Sequence, residues 1–147
     1  MQRRTFLAVA GLATLAAVGG CANFNAPWAF TADPLVNGII GNIPGLSGTQ
    51  AAAGIGSMLG LAQNRLGPGE FESVAKTLPN ADAYLRAARG AGVNTDALRN
   101  VDALNEAFKK LNFNPNQARA LLSSVTDWVG KNGGDAARSL MTKSLGV

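Results

Sequence analysis

The chain has 147 residues, which suits one small domain once any leader is set aside. It is 47% hydrophobic, yet aromatic content is only 6% and glycine is abundant, a composition that favours close packing of helices over sheet. With no histidine and a single cysteine, an internal disulfide, a His/Cys metal cage and His-dependent nucleophilic catalysis are excluded, and a formal charge of +4, part of it from Arg3 and Arg4, is too mild and too scattered for nucleic-acid binding.

Residues 1–20 have the anatomy of an export signal: Arg3 and Arg4, an apolar run from about Phe6 to Val18, and a small-residue exit at Gly19 and Gly20. The run is shorter than the roughly 20 residues a spanning helix needs. Arg3, Arg4, Phe6 and Leu7 match the twin-arginine export motif, although Gln2 and Ala8 depart from its usual flanks. The weakly hydrophobic, Gly/Ala-rich run favours that route, with the general secretory route as the alternative. Val18, Gly19, Gly20 and Cys21 match a lipobox, in which small residues let a peptidase approach the thiol that carries the lipid. Cys21 is then the acylated first residue of the mature protein, and its acyl chains hold it to the membrane. Ala22 in place of Asp after the cysteine favours the outer membrane of a two-membrane bacterium, on its periplasmic face. Residues 21–32 read as a lipidated tether without helical period. Its aromatics Phe24, Trp28 and Phe30 either sit at the headgroup level or pack back on the domain.

Residues 33–147 read as helices throughout. Asp33 and Pro34 start one, as cap and first residue, and Leu35, Val36, Ile39, Ile40 and Ile43 follow at helical spacing until Pro44 and Gly45. Ser47 and Gln50 form a capping box, preceded by Leu46 as a staple, and Ile55, Met58, Leu59, Ala62 and Leu66 mark one face. Along this helix Ala52, Gly56 and Gly60 recur every four residues, a spacing that suits close approach of a neighbouring helix. A further helix carries Phe71, Val74, Ala75 and Leu78. Pro79 closes it, Asn80 caps the next, and Tyr84, Leu85 and Ala88 form that one's face. Thr95 is a candidate cap beyond the loop at 89–96, and Glu106 with Lys110 is an exposed i,i+4 pair.

The capping device recurs 67 residues later, with Asn114 for Ser47, Gln117 for Gln50, Phe113 for Leu46 and Pro115 at the first helical position. Leu121, Leu122, Val125, Trp128 and Val129 form the following face, and Gly133 and Gly134 break it before Ala137, Leu140, Met141 and Leu145. No run alternates with period two long enough for a strand. The fold expected is all-α, a small bundle of about six to seven short helices, organised as two related three-helix halves at about 33–78 and 99–147 with a connector at 79–98.

The block from Gly45 to Ala88, with its Gln50-Ala51 pair, its small-residue helix, the Leu66 to Phe71 step and the Leu78 to Leu85 stretch "LPNADAYL", resembles the bacterial VcgC/VcgE family, a domain of unknown function (DUF2780). The segment from Leu111 to Met141 is similar to that family's tail, so the resemblance spans about Leu35 to Leu145. It implies a small helical, envelope-associated domain and brings no catalytic residues.

The residues give no catalytic, cofactor-binding or metal-binding set of their own. Glu70 and Glu72 diverge in a first helical turn, Asp127 and Asp135 read as capping or solvated charges, and Ser123 and Ser124 have no base at recognisable spacing. Arg86, Arg89, Arg99, Lys109, Lys110 and Arg119 read as a solvated basic face able to meet anionic headgroups or an acidic partner. The expected function is therefore that of a non-enzymatic, lipid-anchored envelope protein, held to the membrane by its N-terminal lipid and contacting a protein or envelope partner. The alternative is a binder of a small apolar ligand or lipid between Gly/Ala-lined helices, which would need a wide apolar cavity there.

Overall fold

The computed structural model describes residue 30 and residues 32–146. The fold is all-α: α1 (Pro34–Asn42), α2 (Gly48–Arg65), α3 (Pro68–Ala75), α4 (Ala81–Gly90), a 3-10 turn at Thr95–Ala97, α5 (Val101–Lys110) and α6 (Pro115–Leu145). No strand occurs among the described residues.

The architecture follows from α2. Every residue from 51 to 62 is buried, so this helix has no solvent face over three turns. It packs against all five other helices and the 3-10 turn. The one-sided stripe read from Ile55, Met58, Leu59, Ala62 and Leu66 is thus only part of its contact surface. Apart from Ser57 and Leu61, the buried remainder is alanine and glycine, whose small side chains let neighbours close in. A Cβ at Gly56 would fall on the carbonyl oxygen of Tyr84 in α4, with the Ala88 methyl 2.9 Å away. Beside Gly54 stand Leu121 and Phe113, and beside Gly60 stand Leu98 and Thr95. The one buried hydroxyl of α2, on Ser57, is satisfied within its own helix by donating to the Ala53 carbonyl at 2.9 Å.

Both capping boxes form. Ser47 Oγ accepts from the Gln50 N–H at 3.1 Å and Asn114 Oδ1 from the Gln117 N–H at 2.8 Å. Each glutamine carbonyl accepts the N–H of its own cap residue, while its amide reaches into the other half. Gln50 Nε2 donates to the Leu111 carbonyl at 2.8 Å, and Gln117 Nε2 to the Pro44 carbonyl at 3.0 Å. Leu111 and Pro44 stand three positions before their own caps, so the exchange is reciprocal. The residue after each also corresponds: Gly45 has φ +84° and Asn112 φ +65°, the latter a left-handed conformation that asparagine tolerates better than most residues.

At its C-terminal end α6 turns without a loop. Gly134, at φ +80° and ψ −179°, holds a conformation open to glycine, and helical geometry resumes at once. The corner is spanned by Arg138 on Asp127 at 2.9 Å, a half-exposed pair that orients the arm more than it stabilises it. Asp127 lies about two turns before the break at Gly134, which falls where Gly133 and Gly134 were expected to interrupt the helix.

Several local readings change. Asn80 starts α4 but makes no capping hydrogen bond with its side chain. Thr95 is buried and accepts from Arg89 Nε at 2.9 Å, while Asn100 caps α5 through the Ala103 N–H at 2.8 Å. Glu106 pairs with Lys109 at 2.9 Å, and Lys110 instead donates to the Gly92 carbonyl at 3.4 Å. Ile40, although at helical spacing with the core positions of α1, stays on the surface.

Candidate functional site

The most concentrated polar chemistry inside the fold lies where the chain enters it. Asp33 is buried at the start of α1. Its Oδ1 accepts from the N–H groups of Leu35 and Val36, both at 3.0 Å, which is the capping role its position before a proline predicts. Its Oδ2 accepts from Tyr84 Oη at 2.6 Å and from Asn80 Nδ2 at 2.9 Å. One carboxylate thus ties α1 to α4 with four hydrogen bonds, and Phe30 stacks on the Tyr84 ring at 5.9 Å. Of the two placements open to the tether aromatics, Phe30 takes the second and packs on the domain. Phe24 and Trp28 lie outside the described residues.

Sequence reasoning found the cap and missed the rest of the cluster. The signal was present: Asp33 is the only charged residue between Arg4 and Arg65. An isolated carboxylate in so long an uncharged run needs partners, and Tyr84 is the only tyrosine in the chain.

Burial pushes the Tyr84 phenol well above its ordinary value, and the hydrogen bond to Asp33 and the negative charge there push it the same way. The folded state holds this proton more tightly than the unfolded chain, where tyrosine titrates near 10.0. Stability is therefore unaffected below that pH and falls as pH rises above it. Because Tyr84 is the sole tyrosine, the ultraviolet absorbance of tyrosinate reports it alone. The expected result is that this absorbance appears only together with loss of helical circular dichroism. A reversible rise at the ordinary phenol pH, with the helices intact, would show that the phenol is not held.

Among the described residues there are open surface grooves of about 250 to 380 Å³. One, of about 300 Å³, lies between α1 and α6, with Leu35, Gly38 and Ile39 on one wall and Ser124, Trp128 and Lys131 on the other. Trp128 is anchored there by its indole N–H on the Thr77 carbonyl at 2.8 Å. The room beside the α2 glycines, by contrast, is filled by Leu121, Phe113, Tyr84, Ala88, Leu98 and Thr95.

Glu70 and Glu72 are both engaged structurally. Glu70 accepts the Gly67 N–H at 3.2 Å as part of the α3 start, and Glu72 pairs with Lys76 at 3.4 Å. Among the described residues no three His, Cys, Asp or Glu side chains converge to hold a metal ion, and no helix is long and apolar enough to cross a membrane. The export-motif residues Arg3, Arg4, Phe6 and Leu7, the lipobox residues Val18, Gly19 and Gly20, and the lipidation residue Cys21 lie outside the described residues.

A family model described as protein of unknown function VcgC/VcgE (DUF2780) matches residues 13–146. No curated protein and no solved structure matches the chain.

Proposed function

The chain belongs to the VcgC/VcgE (DUF2780) family of unknown function, and on that footing we propose that it is a lipid-anchored protein of the cell envelope whose helical domain works by contact rather than by catalysis. The observation that carries the reading is the stretch Val18 to Cys21, where the only thiol of the chain follows an apolar run and two small residues. Export begins at the twin-arginine-type motif of Arg3 and Arg4, and acylation of Cys21 holds the mature chain at the periplasmic face of the outer membrane.

Further support comes from the way the domain uses its polar groups. Glu70, Glu72 and Asp127 are occupied in capping or surface ion pairs, and Asp33 in a buried structural cluster. Neighbouring side chains and backbone stand close beside Gly54, Gly56 and Gly60 of α2, which supports a reading by surface contact over one in which a lipid or small apolar ligand sits between the Gly/Ala-lined helices. An exposed binding face for an envelope or protein partner fits better.

Changing Cys21 to Ala tests the anchor. The variant is expected to move from the membrane fraction to the soluble fraction and to lose incorporation of labelled fatty acid. Retention in the membrane with no acyl label on the parent protein would sink the proposal.

A further inference from the structure

Charge is distributed unevenly along this chain, and the unevenness coincides with one exposed helix. No charged side chain occurs between Asp33 and Arg65, and Asp33 itself is buried. α1 turns Leu35, Val36 and Ile39 inward and leaves Asn37, Gly38, Ile40, Gly41 and Asn42 outside. Ile40, 36% exposed, is the only large hydrophobic side chain left on the surface among the described residues. A Cβ at Gly38 or Gly41 would meet nothing within 4 Å, so little stands above the backbone there. The outer faces of α4 and α5 are different, carrying Asp82, Arg86 and Arg89 on one and Asp102, Glu106 and Lys109 on the other.

The location of this face is constrained by the chain that leads into it. Phe30 is seated against Tyr84 and Asp33 is bonded to α4, so the entry point is fixed beside the N-terminus of α1. Cys21 lies nine positions before Phe30, a reach of at most about 32 Å. We propose that the outer face of α1 rests against the headgroup layer of the bilayer that holds the lipid on Cys21. This inference rests on the lipid-anchored reading. An uncharged face approaches headgroups without the cost of desolvating ions. Ile40 adds apolar contact at the interfacial level, and Lys131, on the far wall of the α1–α6 groove, faces anionic headgroups from the side. Asp127, in the same groove, is neutralised by Arg138. The face need not bind strongly, because the lipid already keeps it at high effective concentration near the surface.

The test uses the full chain, made in a host that processes lipoproteins and reconstituted into vesicles of phosphatidylethanolamine and phosphatidylglycerol. A fluorescent thiol label is placed at Gly41→Cys, where there is open space, or at Asn105→Cys on the exposed side of α5. Nitroxide carried on the lipid headgroups is expected to quench the label at 41 several-fold more than the label at 105. Equal quenching at the two positions overturns the proposal. So does shielding of the position 41 label that persists in detergent and grows with protein concentration, which assigns the face to a second copy of the chain. The parent protein separates this failure from that of the anchor. A Cys21 thiol that reacts with maleimide overturns both readings, whereas an unreactive Cys21 with equal quenching overturns the membrane-facing surface alone.

Discussion

Gly56→Ala is expected to destabilise the domain by about 3–5 kcal/mol, although the added group is one methyl. Helix propensity alone favours alanine by about 1 kcal/mol, so the sign of the result separates packing from propensity. The methyl would fall on the Tyr84 carbonyl oxygen, part of a backbone that cannot rotate away as a side chain can. Relief requires α4 to move off α2, which also draws Tyr84 away from Asp33. Against a total of about 5–15 kcal/mol for a domain of ordinary stability, this loss is a large fraction. Gly41→Ala is the control: its methyl meets nothing within 4 Å and α1 gains propensity, so a small stabilisation is expected. Urea unfolding followed by circular dichroism measures both, and a Gly56→Ala midpoint at or above the parent's would refute the close α2–α4 contact.

Asp33→Ala is expected to cost about 3–4 kcal/mol, combining loss of a helix cap with two donors left without their acceptor. The α1 N–H groups of Leu35 and Val36 lose Oδ1, while the Tyr84 hydroxyl and the Asn80 amide lose Oδ2. Asp33→Asn separates the two roles. Its carbonyl still caps α1 and its amide can donate to the Tyr84 oxygen, so it is expected to recover at least half of the lost stability. Tyr84→Phe leaves the cap whole and removes one donor, giving a loss of about 1.5–3 kcal/mol. If Asp33→Ala unfolds at the same urea concentration as the parent, the cluster does not secure α1 to α4.

How much of this was legible in the sequence depended on the range of the interaction. Pro34, Pro68 and Pro115 each stand at a helix start, and both capping boxes form from residues within one turn, so helix starts could be read locally. The environment of α2 could not. Alanine and glycine carry little hydrophobic signal, and a pattern search sees the stripe of Ile55, Met58 and Leu59 but not that the other sides are covered too. Asn80 and Thr95 looked like caps because their types suit the role, yet partners outside the helix turn they would cap claimed their side chains: Asp33, far off in sequence, for the first and Arg89, from the preceding helix, for the second. Lys109 rather than Lys110 reaches Glu106, a choice between neighbouring positions that spacing alone does not settle. The proposed leader is the reverse case: it rests on a contiguous pattern, Arg3 to Cys21, read without any fold, and lies outside the described residues.

The crossed glutamine bonds have a consequence for the order in which the chain acquires structure. The start of α2 is completed by carbonyls contributed after α5, and the start of α6 by a carbonyl contributed after α1. Neither helix start is complete while the other half is missing. Each bond joins residues more than half of the domain apart in sequence, so it rewards closure of a long loop only late in folding. A growing chain therefore lacks the closing contacts until α6 is present. The domain is poised to assemble in one cooperative step rather than helix by helix, and a cut or truncation in either half weakens the helix start in the other.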